Sequence, residues 1–215
     1  LGATAVTAGA LGGATIVAAG LIAATFRRSG WDPHRLILAG IAFASACGAV
    51  TSVILSAAPA TQLPGMLFWL IGDLSAAESP QLGLVILAAA VLLSIAIGPR
   101  LDALALGPEK ARTLGVPVTE TQAMALGGAT AATVGAVLLA GSVGFVGLVV
   151  PHWLRLVGVH RNRQLLPLAL LWGGVLVTAA DTLARTVVRP IEIPVGAVTA
   201  LLGVPVLLWL LWRSR

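Results

Sequence analysis

Charged side chains are scarce in this chain of 215 residues: only 10% are Asp, Glu, Lys or Arg, whereas 58% are hydrophobic. A soluble domain carries about 25% charged residues, so the chain lacks the polar surface that a water-soluble fold of this length needs. Long apolar runs with almost no charge are typical of transmembrane helices. The runs do not alternate between apolar and polar residues, which excludes the strands of a membrane β-barrel.

Cysteine, lysine and catalytic motifs are also rare. Cys47 is the single cysteine, which excludes an internal disulfide and a cysteine-rich zinc site. The single lysine, Lys110, does not lie in a GxxxxGK[ST] sequence, so the chain has no P-loop of its own for ATP. No catalytic triad or pair of carboxylates is recognisable, and the three histidines have no partner at metal-ligand spacing. We therefore expect no enzymatic activity, metal or cofactor.

The formal net charge of +5 does not indicate nucleic-acid binding. The basic residues are scattered between apolar runs and form no cluster, so we expect no nucleic-acid partner. Membrane topology explains their distribution better, because basic residues favour cytoplasmic loops.

Seven apolar runs predict an all-α, polytopic membrane protein with one domain over residues 1–215. About 20 residues cross a hydrocarbon core of about 30 Å. The run 142–157 covers only about 24 Å, so it is either shielded by neighbouring helices or partly re-entrant. The chain begins with Leu1 inside an apolar run, so we expect its N-terminal part to be missing. The predicted spans are 2–26, 36–57, 81–99, 120–140, 142–157, 164–188 and 194–212.

The basic residues predict the orientation of these spans. One set of loops holds eleven of them and the opposite set only two, Arg185 and Arg189. Positive residues favour the cytoplasm, so the C-terminus is expected inside and Leu1 outside. The inner set comprises Arg27, Arg28, Arg35, Arg100, Lys110, Arg112, Arg155, Arg161, Arg163, Arg213 and Arg215.

The longest inner loop, 99–118, is too apolar for a passive connector. Apolar residues recur at Leu101, Leu104, Leu106, Ala111 and Leu114. These apolar faces have two alternative binding places: among lipid headgroups, or in a groove of a partner protein. Spacing alone does not separate these alternatives.

Turn and capping residues predict two short helices in this loop, one on each side of Gly107. Pro108 suits the first turn of a helix, and Glu109 there complements the helix dipole. Gly115 is a suitable residue just beyond the C-terminus, and Pro117 follows it.

Polar residues near the ends of two spans have alternative roles. Asp181 and Arg185 share a helix face near the predicted outer surface, since opposite charges four residues apart attract. Arg185 either anchors the helix at the interface beside its own Asp or faces outward for an acidic partner. His152 lies near the inner end of the short run, where a packing role is commoner than ligand binding.

The stretch GSVGFVGLVVPHWLRLVG, residues 141–158, closely resembles the signature of the FecCD-type permeases. These permeases import iron–siderophores, haem and cobalamin as part of ABC transporters. Residues 165–187 and 190–213 resemble the last two spans of that family, and 36–52, 66–75 and 101–116 resemble its earlier parts in order. The resemblance therefore covers essentially the whole chain. The signature residues are Gly144, Phe145, Gly147, Pro151 and His152.

The resemblance implies a bundle of ten helices, of which this chain carries the last seven. It implies that residues 36–57 and 194–212 line the central pathway, that Ser29 and Gly30 contribute to an inner gate, and that Arg185 receives the substrate-binding protein. It also implies that the loop 99–118 docks on the ATPase subunit. The residues matched to that docking are Leu101, Leu104, Leu106, Gly107, Pro108, Glu109, Ala111, Leu114 and Gly115.

The implied function is the transmembrane permease subunit of an ATP-driven importer in the bacterial cytoplasmic (inner) membrane. Its implied partners are an ABC ATPase subunit, an extracytoplasmic substrate-binding protein, a second permease subunit and the lipid bilayer. An iron–siderophore is the favoured substrate, with haem and cobalamin open. The alternatives are a secondary transporter, which usually places ionisable residues at the midplane, and a structural scaffold, which would not need the inner loop.

Overall fold

A computed structural model describes residues 3–27, 30–31, 33–74, 80–187 and 193–213 of the chain. Its described part consists of α-helices and one two-residue antiparallel hairpin, in which Phe26 pairs with Trp31 and Arg27 with Gly30. In chain order the elements are α1 (Ala3–Thr25), β1 (Phe26–Arg27), β2 (Gly30–Trp31), α2 (Pro33–Ala57), α3 (Leu63–Ile71), α4 (Pro80–Leu104), α5 (Pro108–Thr113), α6 (Val118–Ala140), α7 (Val146–Leu156), α8 (Asn162–Thr186) and α9 (Val195–Arg213).

Each of the seven predicted runs contains a helix, which confirms the all-α, polytopic class. Among the described residues, four helices are long and apolar enough to cross a membrane: His34–Ala57 and the whole of α4, α6 and α8. Shorter apolar helices at Ala8–Ala24, Val146–Leu156 and Val195–Trp209 correspond to the other three runs.

Helices α4 and α6 form the most extensive contact, and glycine makes it possible. A Cβ atom on Gly135 would lie 2.9 Å from the backbone nitrogen of Leu87 and 3.0 Å from the carbonyl oxygen of Gly83. Only hydrogen fits at that distance, so the two backbones touch. Small residues allow such close approach where lipid supplies little hydrophobic drive between helices. Helices α4 and α6 therefore form a closely packed pair within the bundle.

Helix α2 leaves its apolar surface outside the bundle. None of the residues in its most apolar window is buried, and Leu38 and Val53 are 66% and 67% exposed. Such a surface is unfavourable in water but compatible with contact to lipid chains or to another membrane subunit. The described fold therefore needs a surrounding apolar phase.

The predicted spans do not include α3, which occupies Leu63–Ile71. This helix has nine residues and is about 13 Å long, too short to span a bilayer. A proline in its first turn was the available signal, since Pro is favoured at the first helical position. The search for spans of about 20 residues could not detect it.

The short run 142–157 contains one short helix that packs against α8 along one face. Helix α7 comprises only the 11 residues Val146–Leu156, about 16 Å. Its buried Val150 and Leu154 pack with Leu165 of α8 in one hydrophobic cluster. The rings of Trp153 and Trp172 meet edge to face with centroids 5.2 Å apart. These contacts attach α7 to α8.

Candidate functional site: inner coupling loop and outer docking face

The predicted helix before Gly107 does not exist as a separate element. Helix α4 continues without a break to Leu104 and includes Pro99 in its interior. The chain leaves it through a turn, in which the N–H of Leu106 donates to Ala103 and that of Gly107 to Leu104. The inner loop is therefore a direct extension of a membrane helix.

The predicted second helix is confirmed as α5, and its C-terminal end is closed by backbone hydrogen bonds. Gly107 precedes it with φ at +105°, and Pro108 occupies the first turn. Gly115, with φ at +77°, allows its own N–H and that of Val116 to donate 3.0 Å bonds to the carbonyls of Arg112 and Ala111. These two bonds form a Schellman motif, which closes the C-terminal end of the six-residue helix α5.

The predicted apolar residues of the loop differ in how far they are exposed. Leu106 and Leu114 are 59% and 63% exposed, whereas Leu101 and Leu104 are only partly so. Ala111 is fully buried against the chain itself. A partner can thus touch Leu106 and Leu114, while Ala111 supports α5 from beneath instead of lying on the exposed face.

Charged side chains surround this exposed face. Glu109 and Arg112 of α5 form a salt bridge one turn apart, and both are largely exposed. Lys110, between them, is exposed as well. The loop therefore presents two leucines within a rim of both charge signs, an arrangement that suits a partner protein with an apolar groove and a polar edge.

The same inner end carries contacts that sequence reasoning missed. Arg100 of α4 lies 3.9 Å from Glu120 of α6. The carboxylate of Asp102 accepts a hydrogen bond from the backbone N–H of Asn162, 60 residues away at the start of α8. No local sequence pattern indicates either contact, because the partners lie on different helices.

Arg185 lies in the last turn of α8, four residues after Asp181, and the two side chains form the predicted ion pair. The Nε atom of Arg185 donates to Oδ2 of Asp181 at 2.8 Å, and the Arg185 side chain remains 43% exposed. Both lie in a small cleft with Asp73 and with Pro194 at the start of α9. The geometry thus combines an anchored guanidinium with an accessible face.

The floor of that cleft is a tight junction of three helix ends. A Cβ atom on Gly141 would lie 2.5 Å from the carbonyl oxygen of Trp69, and one on Gly196 would clash with the carbonyl oxygen of Ile71. The N–H of Asp73 donates to Ala140 at 3.0 Å. Helices α3, α6 and α9 are thereby held together beside Arg185.

The signature stretch contains a strained turn. Phe145 has φ at +67°, the left-handed region, and precedes the first turn of α7. A Cβ atom on Gly203 of α9 would lie 2.6 Å from the Cβ of Phe145, so glycine lets α9 fit against this turn. Pro151 lies inside α7 and His152 is half-buried. Among the residues that the structure describes, no hydrogen bond or ion pair to the His152 side chain indicates its role.

The predicted inner gate is only partly described. Ser29 lies outside the described residues, and Gly30 pairs with Arg27 in the two-residue hairpin. Within the part of the chain that the structure describes, no group of three His, Cys, Asp or Glu residues could hold a metal ion.

These observations define the class of protein: a polytopic α-helical membrane protein with a helical loop between α4 and α6 and a closely packed junction of α3, α6 and α9. The family model of the FecCD transport family matches residues 1–213. The chain therefore belongs to the FecCD transport family, as the signature stretch indicated.

Relatives at moderate identity agree with this assignment. The vitamin B12 import system permease protein BtuC of Klebsiella pneumoniae is 38% identical over 192 residues, which cover 88% of this chain and 58% of the relative. The Fe(3+) dicitrate transport system permease protein FecD of Escherichia coli K12 is 37% identical over 199 residues, covering 92% and 62%. The chain thus spans about three fifths of the length of these relatives.

A solved structure shares the fold. An inward-facing metal-chelate type ABC transporter superimposes with a TM-score of 0.74 at 26% identity, over 96% of this chain and 73% of that one. The arrangement of helices described above is therefore that of a transporter in the same structural group.

Proposed function

We propose that the chain forms most of a permease subunit through which an ATP-hydrolysing partner drives the import of an iron–siderophore. Membership of the FecCD transport family supports a transport role. The observation that carries the ATP-driven mechanism is the inner loop. It continues from the transmembrane helix α4 and exposes Leu106 and Leu114 on either side of α5, whose C-terminal end is closed by two hydrogen bonds.

The loop favours a protein groove over lipid headgroups as the place where its leucines bind. Binding to a lipid interface strengthens with the apolar area buried there, and the 6 residues of α5 with two exposed leucines beside them offer little such area. The closed C-terminal end and the internal salt bridge instead give a preorganised shape, which reduces the ordering cost of binding a protein. The groove proposed here belongs to an ABC ATPase subunit.

The outer face supports a second contact. Arg185 offers part of its guanidinium outward beside a closely packed junction of α3, α6 and α9. A rigid, partly exposed cation suits acidic residues of an extracytoplasmic substrate-binding protein. Docking of the binding protein at Arg185 would then act on the outer end of α8.

The apolar surface left on α2 supports assembly with a second permease subunit around a central pathway. In this arrangement α2 and α9 line the pathway, and the inner hairpin with Ser29 and Gly30 contributes to the inner gate. The complex lies in the bacterial cytoplasmic membrane with the C-terminus inside. The family relatives named for vitamin B12 and ferric dicitrate keep cobalamin and other chelates as competing substrates to be tested.

Transport by the reconstituted complex tests this function. The full-length protein, its ATPase subunit and its binding protein are placed in proteoliposomes, and uptake of ferrichrome, haem and cyanocobalamin is measured with ATP inside. Uptake of ferrichrome that requires ATP, and that stops when the ATPase loses its P-loop lysine, is expected. Uptake driven by an ion gradient without any ATPase subunit would instead establish a secondary transporter.

A further inference from the structure

The N-terminus of α8 is capped by a residue from another helix. The first turn of an α-helix has backbone N–H groups without intrahelical partners, and Arg161, at the N-cap, makes no side-chain capping bond. Asp102, in the last turn of α4, accepts the N–H of Asn162 through Oδ1. Its negative charge also complements the positive end of the α8 dipole.

A second contact, one turn earlier on α4, brings the two backbones together. Gly98 lies four residues before Asp102 and therefore on the same helix face. It is buried, and a Cβ atom there would lie 3.3 Å from the Cα of Arg163. Helices α4 and α8 are thus joined at two successive turns, by close packing at Gly98 and by a charged hydrogen bond at Asp102.

This joint lies between the two surfaces proposed to bind partners. Asp102 is four residues before Leu106, in a helix that continues directly into the inner loop. From Asn162, α8 extends 25 residues, about 37 Å, and carries Arg185 in its last turn. A displacement of the inner loop therefore moves the end of α4, and the joint passes that displacement to α8.

We propose that Asp102 is a positioning residue that couples the inner loop to the outer end of α8. The hydrogen bond from Asn162 to Asp102 keeps α4 and α8 moving as one body, so that docking at Arg185 changes the position of α5 and the reverse. This inference rests on the proposed function, because it gives the path between the ATPase contact and the binding-protein contact.

Two substitutions remove the same hydrogen bond from opposite sides. Asp102→Ala deletes the acceptor. Asn162→Pro deletes the donor and keeps the helix, because Pro is favoured at the first helical position and Arg161 already has the extended backbone that precedes Pro. Asp102→Asn keeps an acceptor oxygen and serves as the conservative variant. Glu120→Ala is the matched control, an exposed acidic residue at the same inner end that does not cap α8.

The measurement is the ratio of ATP hydrolysis by the full-length complex with and without the binding protein, at matched amounts of assembled complex. Asp102→Ala and Asn162→Pro should each lower this ratio about fivefold, the effect of losing a helix cap, and the double variant should lower it no further. Asp102→Asn and Glu120→Ala should keep the wild-type ratio within about twofold, since neither loses the hydrogen bond that caps α8.

Three results would overturn the inference: a wild-type ratio in both single variants, effects that add in the double variant, or a lower yield of complex with an unchanged ratio. If Asp102→Ala does not assemble, Asn162→Pro alone decides. Failure of the wild-type complex to hydrolyse ATP or to import would reject the proposed function instead, so the two failures are distinguishable.

Discussion

Arg185 shows at the scale of one residue how an anchor and a docking group coexist. Its Nε atom is engaged by Asp181 at 2.8 Å, while 43% of the side chain stays accessible. Anchoring by Asp181 and partial exposure therefore occur together at Arg185.

Charge reversal at Arg185 separates docking from anchoring. Arg185→Glu should slow capture of the binding protein most strongly at low salt, because rim charges act mainly on the association rate. An exposed ion pair contributes about 0.2–1 kcal/mol, so affinity should fall only a few-fold. Surface-plasmon resonance at two salt concentrations measures capture, and the melting temperature of the permease measures anchoring.

Asp181→Asn provides the comparison for this variant, since it weakens the anchor without changing the sign of Arg185. Wild-type capture by Arg185→Glu, together with a lower melting temperature, would show that Arg185 has only the structural role. Slower capture at a normal melting temperature would support docking.

At the scale of one element, α5 derives its shape from its ends. Gly107 and Gly115 both have positive φ, and Pro108 needs no backbone hydrogen bond in the first turn. The buried Ala111 packs one face of the helix against the rest of the chain, while Leu114, just beyond the helix, stays exposed. A helix of 6 residues is not stable alone, so these local constraints decide its conformation.

Substitution of Leu114 tests the docking of α5. Leu114→Asp should keep basal ATP hydrolysis and protein level but lower transport roughly tenfold or more, because an unpaired charge in an apolar groove costs about 2 kcal/mol or more. The matched control Leu114→Met should transport normally. Transport and hydrolysis are measured on the same proteoliposomes.

A crosslink gives an independent check on the same contact. In a Cys47→Ala background, a cysteine at the exposed Ala105 should crosslink to the ATPase subunit. Normal transport by Leu114→Asp, or a cysteine at 105 that reacts only with lipid-phase reagents, would contradict docking in a protein groove.

At the scale of the whole molecule, charge and apolar surface determine how the bundle sits. Exposed apolar residues cover most of the described helices, as on α2, while basic residues concentrate in one set of loops along the sequence. The hydrophobic exterior requires a bilayer, and loops rich in positive residues favour the cytoplasmic side of that bilayer. The C-terminus is expected to lie inside for this reason.

Cysteine labelling tests the orientation. With Cys47 replaced by Ala, a cysteine at Thr61, in the exposed turn before α3, should react with a membrane-impermeant maleimide in intact cells. A cysteine at Thr113, exposed on α5, should react only after permeabilisation. The reverse pattern would invert the topology and remove the proposed ATPase contact.

The sequence alone predicted the polytopic all-α class, with seven apolar runs that each contain a helix. These properties follow from local composition, because a bilayer core requires about 20 apolar residues per helix whatever their neighbours are. The ends of α5 were also predictable, since Gly and Pro restrict the backbone locally.

Only the tertiary structure decided the continuity of α4 to Leu104, the helix α3, the burial of Ala111, and the bond between Asp102 and Asn162. Each of these depends on which segments pack together. Asp102 and Asn162 are 60 residues apart, and no local pattern shows that a helix end will lie beside that carboxylate. Helix ends need partners for their backbone N–H groups, but folding of the bundle decides which residue supplies them.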